Sequence, residues 1–283
     1  MNLLHISDMH FGTRHWTGNQ EILLNKLNSY SADLILNTGD ITTDSLEDEF
    51  SDAGDFLNAL KIPHVVSIVG NHDKRNMRSQ DFFRKYIDEV DLVRPLDNEN
   101  CKKPKIFLDE FTKGIDESFT DCNFVKPITV DGKITLVVGL DTSELFQDNG
   151  VVDEEILSAV SRKIEASSYE SIILLYHHSI IETDSDPLFN SERVIKFIHK
   201  HRIQYTFCGH THRLAIVKTT DVLHKHSFTQ FKNGSLSSCN TPDDTNMFLF
   251  YENFGADNMK VHVVRMFIEE NDLRFEEEIL TNL

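Results

Sequence analysis

Cysteine, long apolar runs and basic side chains are all scarce in this chain, and each scarcity excludes something. Only four cysteines occur in 283 residues, and Cys101, Cys122, Cys208 and Cys239 show no C-x-x-C spacing. A disulfide-stapled secreted scaffold or a cysteine-ligated structural zinc site is therefore not expected. No run approaches the roughly 20 apolar residues of a membrane-spanning helix. The first residues, Met1-Asn2-Leu3-Leu4, open a strand without a basic leader segment, so a cytoplasmic protein in a reduced compartment is expected. Lys and Arg number 28 against 46 Asp and Glu, a formal net charge of −18. Nucleic-acid binders gather cations to neutralise phosphates, so a long polyanion is not the expected partner. A small, singly charged phosphate ester is not excluded.

Present instead are five short apolar runs, each ending on metal-ligand residue types. The runs Leu3–Ser7, Leu34–Asn37, Val65–Val69, Ile172–Tyr176 and Tyr205–Cys208 read as strands. They are followed by Asp8-x-His10, Gly39-Asp40, Gly70-Asn71-His72-Asp73, His177-His178 and Gly209-His210-Thr211-His212. In an α/β sheet the carboxyl ends of strands open onto the ligand crevice, so residues about 200 apart in sequence can meet there.

Between these strands the apolar spacing is helical: Ile22, Leu23, Leu27 and Tyr30, then Phe50, Ala53, Leu57 and Leu60, then Ile156, Leu157, Val160 and Ile164 after a strand at Ile134–Leu140. Strand–helix–strand units build a mainly parallel sheet. After His212, Phe228–Phe231, Met247–Tyr251 and Val261–Phe267 read as an antiparallel sheet, and Glu269–Glu278 as a solvated acidic cluster. The expected fold is α/β, a four-layer αββα sandwich of two mixed β-sheets flanked by helices. One domain, 1–283, is expected, with loop insertions near 95–123 and 233–246.

Two divalent ions about 3.5–4 Å apart can clamp a phosphate, provided a carboxylate bridges them and further N and O donors complete each shell. Asp40 is the natural bridge. Asp8, His10 and one histidine of the Gly-His-x-His pair would complete one ion; Asn71, His177 and the other histidine would complete the second. This donor mixture suits Mn, Fe or Zn better than Mg or Ca alone. Alternation along a strand makes His178 a supporting residue rather than a ligand. His5 is read as facing a helix layer, and His199, His201, His224, His226 and His262 as surface histidines. Arg14, His15 and Trp16 form a loop that could overhang the metals, though an ordinary exposed loop is the favoured reading.

Taken together, D-x-H, G-D, G-N-H-D, a lone histidine and G-H-x-H resemble the signature of the calcineurin-like metallophosphoesterases, in that family's order and across about three quarters of the chain. By this resemblance Asp8, His10, Asp40 and His212 would ligate the first metal, and Asp40, Asn71, His177 and His210 the second. His72 would contact the phosphate and protonate the leaving oxygen, with Asp73 orienting it. The His5–Gly12 stretch, Glu49-Phe50 and Asn233-Gly234-Ser235-Leu236 are most similar to the cyclic-nucleotide phosphodiesterase-like branch. Thr43 stands where purple acid phosphatases carry a ligating tyrosine, and the Gly39–Asp44 block lacks the pattern of the protein phosphatases. The resemblance therefore implies a phosphodiesterase acting on a cyclic or other small nucleotide, with a DNA nuclease or a catalytically silent protein-binding scaffold as alternatives.

Overall fold

The computed structural model describes residues 1–95, 120–181, 188–236, 238–239, 246–269 and 272–281. Most of the expected insertion at 95–123, and part of that at 233–246, lies outside the described residues.

Two six-stranded mixed sheets face one another. The first has the order β12-β11-β10-β1-β2-β3, with β1 Leu3–Ile6, β2 Leu34–Asn37, β3 His64–Ser67, β10 Met247–Glu252, β11 Lys260–Glu269 and β12 Asp272–Thr281. The second has the order β4-β5-β6-β7-β9-β8, with β4 Phe124–Val130, β5 Lys133–Gly139, β6 Ser171–Leu175, β7 Tyr205–Cys208, β8 Ala215–Asp221 and β9 His226–Lys232. Within each sheet the ligand-ending strands pair in parallel: β1 with β2, β2 with β3, and β6 with β7.

Period-two alternation assigns side chains to layers. On β6, Ile173 and Leu175 join the inter-sheet core, whereas Ile172 and Leu174 join the cluster beneath α4 (Glu154–Glu165) and α5 (Ser191–His201). Phe207, Phe231 and Tyr251 meet between the sheets with ring centroids 5.0–5.5 Å apart. On the first sheet's side, α1 (Gln20–Asn28) supplies Leu23 and Leu27, α2 (Glu47–Asn58) supplies Phe50, Ala53 and Leu57, and α3 (Ser79–Tyr86) supplies Phe82 and Phe83. Burying an aliphatic or Phe side chain stabilises by about 1.5–3 kcal/mol. The first helix starts where the Asn19 side chain accepts the amide of Glu21 at 3.1 Å. The second starts where Glu49 accepts the amides of Asp44 and Leu46, at 2.9 and 3.2 Å. Among the described residues no helix is long and apolar enough to cross a membrane.

Several expectations need correction. The C-terminal strands do not form one antiparallel sheet: β9 pairs in parallel with β7, while β10 joins the first sheet against β1. Within the acidic stretch, Asp272–Glu278 lies in the edge strand β12 rather than in a loop, and its exposed carboxylates meet cations across the ladder, as Glu278 does Arg265 at 3.0 Å. Charged side chains on an edge discourage further strand pairing. His5 faces the second sheet, not a helix layer, with its ring 5.3 Å from that of Phe207 and Nε2 3.0 Å from Thr38 Oγ1. His199 and His226 are buried rather than on the surface.

Candidate metal centre

Each candidate ligand sits just past a strand, where the chain must turn sharply. Asp8 (φ 51°), His10 (φ 48°), Asp40 (φ 50°), His210 (φ 78°) and His212 (φ 54°) all adopt the left-handed region. Asp and His tolerate this better than most residues, yet each instance costs on the order of 1–3 kcal/mol. Such strain persists where surrounding structure enforces it. Gly39 takes a φ of 97°, and a Cβ there would lie 2.7 Å from the amide of Gly70. A Cβ on Gly70 would strike the Asp40 carboxylate, and one on Gly209 would strike Ser7.

The turns bring all seven candidate ligands to one place. Asp8, His10, Asp40 and His212 offer donor atoms within 4.8 Å of one another, as do Asp40, His177 and His210. His10 Nε2 lies 3.0 Å from His212 Nε2, which is 3.3 Å from Asp8 Oδ1. In the second group, Asn71 Oδ1 is 3.1 Å from both His177 Nε2 and His210 Nδ1, and His177 Nε2 is 3.3 Å from Asp40 Oδ2. Asp40 is shared between the groups.

These spacings fit cations. Donors about 2.1 Å from one ion stand about 3.0 Å apart at a right angle and about 3.4 Å apart in a tetrahedron. A second histidine nitrogen, a carboxylate and an amide oxygen at such distances compete for few protons. With no sulfur among them, the donors are the nitrogen and oxygen groups that divalent cations accept. Electrostatics agree. Burial alone would raise the Asp40 carboxyl, but His177, His72 and His10 around it hold it well below its ordinary range. Burial alone would lower His177, but Asp40 lifts it to about 9, so a proton occupies this corner when no cation does. His10 is pushed down to about 4 by burial and offers a lone pair at neutral pH.

His72 stands at the rim with its ring 4.7 Å from that of His10. Its Nδ1 donates to the Thr43 carbonyl at 2.6 Å. Asp73, expected to orient it, does something else. That carboxylate accepts the amides of Ile41, Thr42 and Gly70 at 2.8–3.0 Å, pinning the Asp40 and Asn71 turns together. The His72 Nε2 faces two guanidinium groups, Arg14 Nη1 at 3.3 Å and Arg75 Nη2 at 3.4 Å. Arg14 thus does overhang the site. His15 and Trp16 are not exposed; His15 stacks on Phe11 and both are buried.

His178 packs its ring 4.4 Å from that of His210 but belongs to neither donor group. Its ring nitrogens bond the Asp148 carbonyl at 2.9 Å and Thr142 Oγ1 at 2.8 Å. Three contributors escaped the sequence reading. Arg75 reaches both Asp148 and Asp44, Asp148 accepts the Asn71 side-chain amide at 3.2 Å, and Lys74 is fully buried on Asp141 at 2.8 Å. The two cations directly follow Gly-Asn-His-Asp, a signal available in sequence; Asp148 had none.

Residues 1–214 match the family model described as calcineurin-like phosphoesterase. A curated relative, a probable cyclic nucleotide phosphodiesterase of Xenorhabdus bovienii, is 24% identical over 185 residues, 64% of this chain and 61% of that protein's own length. A purple acid phosphatase from yellow lupin seeds has a similar fold, with a TM-score of 0.57 and 11% identity over 94% of this chain and 51% of that one. So does GAP50, described as the anchor in the inner membrane complex of Plasmodium, with a TM-score of 0.55 and 11% identity over 94% of this chain and 84% of that one.

Proposed function

This chain belongs to the calcineurin-like phosphoesterase family, and from that premise we propose that it hydrolyses a phosphodiester, with a cyclic or other small nucleotide as substrate. One observation carries the reading: two donor groups share Asp40 beneath a rim of His72, Arg14 and Arg75. Asp8, His10, Asp40 and His212 would hold one cation, and Asp40, Asn71, His177 and His210 the other. When bound, such ions neutralise phosphate charge and supply a hydroxide nucleophile near neutral pH.

The chain's own residues do the rest. Arg14 and Arg75 place two guanidinium groups where a non-bridging phosphate oxygen would pair with them. In the resting tautomer His72 keeps its proton on Nδ1, held by Thr43, and Nε2 is a lone pair facing the arginines. Once an anionic substrate has drawn the guanidiniums away and Nε2 has taken a proton from solvent, the imidazolium would hand that proton to the departing oxygen and return to the neutral Nδ1–H tautomer. The name of the bacterial relative supports a cyclic nucleotide, and the −18 net charge argues against long nucleic acid.

Hydrolysis of bis(p-nitrophenyl) phosphate, p-nitrophenyl phosphate, cyclic nucleotides and single-stranded DNA by Mn-, Fe- or Zn-loaded protein tests this. Preference for the diester and turnover of a cyclic nucleotide are expected. Preference for the monoester overturns the diesterase reading, and processive DNA degradation favours a nuclease. Protein that retains no metal would instead be a scaffold.

A further inference from the structure

A second histidine-rich group lies at the opposite end of the second sheet. Strands β7 and β9 run in parallel, and Cys208, paired with Lys232, leads directly to the Gly-His-x-His turn. His226 opens β9 at the other end, and the seven residues of β9 separate the two ends by about 20 Å. There His199, in the last turn of α5, meets Asp221 at the end of β8 and His224 in the turn that follows.

One donor atom from each of His199, Asp221 and His224 lies within 4.8 Å of the others. Asp221 Oδ2 is 2.9 Å from His224 Nδ1 and 3.6 Å from His199 Nε2. These distances bracket the roughly 3.4 Å expected between donors on a tetrahedral zinc ion. A local turn explains part of the group, since Asp221 also accepts the amide of His224 at 2.8 Å. It does not explain His199. That side chain is 2% exposed, and its Nε2 makes no hydrogen bond among the described residues.

The surroundings fit a ligand histidine. His199 Nδ1 is 2.9 Å from His226 Nδ1. If it donates there, Nε2 carries a lone pair toward Asp221, the outer support that metal-bound imidazoles commonly have. The rings of His199 and His224 lie parallel, 5.1 Å apart. Arg202 holds the turn in register through the carbonyls of His224 and Lys225, at 2.9 and 3.2 Å.

We propose that His199, Asp221 and His224 form a separate site for one borderline divalent ion of the Zn(II) class. Three protein donors leave a coordination position to solvent on the exposed His224 side. The ion would tie the end of α5 to the tip of the β8–β9 hairpin. It would serve as a clip, remote from phosphoester chemistry.

Equilibrium dialysis of the full, metal-stripped chain against Zn(II), followed by elemental analysis, tests the site. His224→Gln is chosen because that side chain is exposed and its loss spares the core. The variant is expected to hold one zinc fewer than wild type with unchanged phosphoesterase turnover. Asp40→Asn should keep one zinc that Asp40→Asn/His224→Gln loses. Equal zinc in wild type and His224→Gln overturns the proposal. If Asp40→Asn binds as much as wild type, the dinuclear reading fails, while a loss on His224→Gln still supports this site. Anomalous diffraction at the zinc edge is an independent check: a peak between His199 Nε2 and Asp221 supports the site, and its absence from zinc-equilibrated crystals overturns it.

Discussion

On the proposed reading, replacing His72 by Ala should separate proton transfer from metal binding. Three contacts hold this residue: its amide donates to Asp40 Oδ1 at 2.8 Å, its Nδ1 donates to Thr43, and its Nε2 faces Arg14 and Arg75. Alanine keeps the amide, so Asp40 retains its donor, and the imidazole belongs to neither donor group. Metal content should therefore stay at the wild-type value. The Thr43 carbonyl loses its partner, at a cost of about 1–3 kcal/mol in stability. A positioned general acid contributes on the order of 10²–10⁴-fold, or about 2.7–5.5 kcal/mol of barrier. The assay is kcat/KM on bis(p-nitrophenyl) phosphate and on a diester with an alkoxide leaving group, alongside elemental analysis. p-Nitrophenolate departs without a proton, so its loss should be smaller than the alkoxide's. Equal losses on both substrates, or metal stripped as thoroughly as by Asp40→Asn, would refute the reasoning.

Asp40→Asn removes the carboxylate shared by the two candidate donor groups, so turnover and the metal held at this centre should be lost together, leaving at most the ion at His199, Asp221 and His224; a variant that keeps both ions of the centre rules out the bridge. Burial lowers His177 but Asp40 lifts it to about 9. Below pH 9 a cation must therefore displace that proton, and its affinity should strengthen about tenfold per unit between pH 6.5 and 9. In the metal-free protein, the stability from this raised histidine is complete below pH 6.5 and lost as pH passes 9. A competition titration flat over this range would contradict both statements. Lys74→Met strands the buried carboxylate of Asp141 and should cost about 3–5 kcal/mol in urea unfolding, less when Asp141→Leu is added; a loss under about 1 kcal/mol would count against it. Arg14→Ala should raise KM for an anionic diester without altering metal content, and an unchanged KM would remove Arg14 from the phosphate subsite.

What could be read in advance follows from where chemistry leaves a side-chain signature. Asp8, His10, Asp40, Asn71, His177, His210 and His212 each end an apolar strand in a distinctive residue type, so their convergence was legible before any geometry. The acceptor for His72 was not, because it is the main-chain carbonyl of Thr43, which any residue would supply. Asp73 was assigned the wrong partner since its place in the resembled motif implied the His72 ring, whereas its carboxylate turns to three amides. The strand β12 was hidden by its glutamates, which an edge strand tolerates and a buried one would not. The parallel placement of β9 beside β7 was unreadable because local alternation gives a strand's faces but not its neighbours. His199 and His226 gave no motif at all, and only the fold places them in the protein interior.

The candidate centre straddles the seam between the sheets: Asp8, His10, Asp40 and Asn71 follow strands of the first, while His177, His210 and His212 follow strands of the second. Cations held there would act as rivets across two layers that share few sequence-local contacts. Partner positions such as His10 and His212 are 202 residues apart, so the site can form only when both layers have docked. Opening the sandwich would then require releasing the ions first. Metal removal should consequently speed unfolding far more than it slows folding, so the protein's lifetime, as well as its turnover, would depend on metal supply.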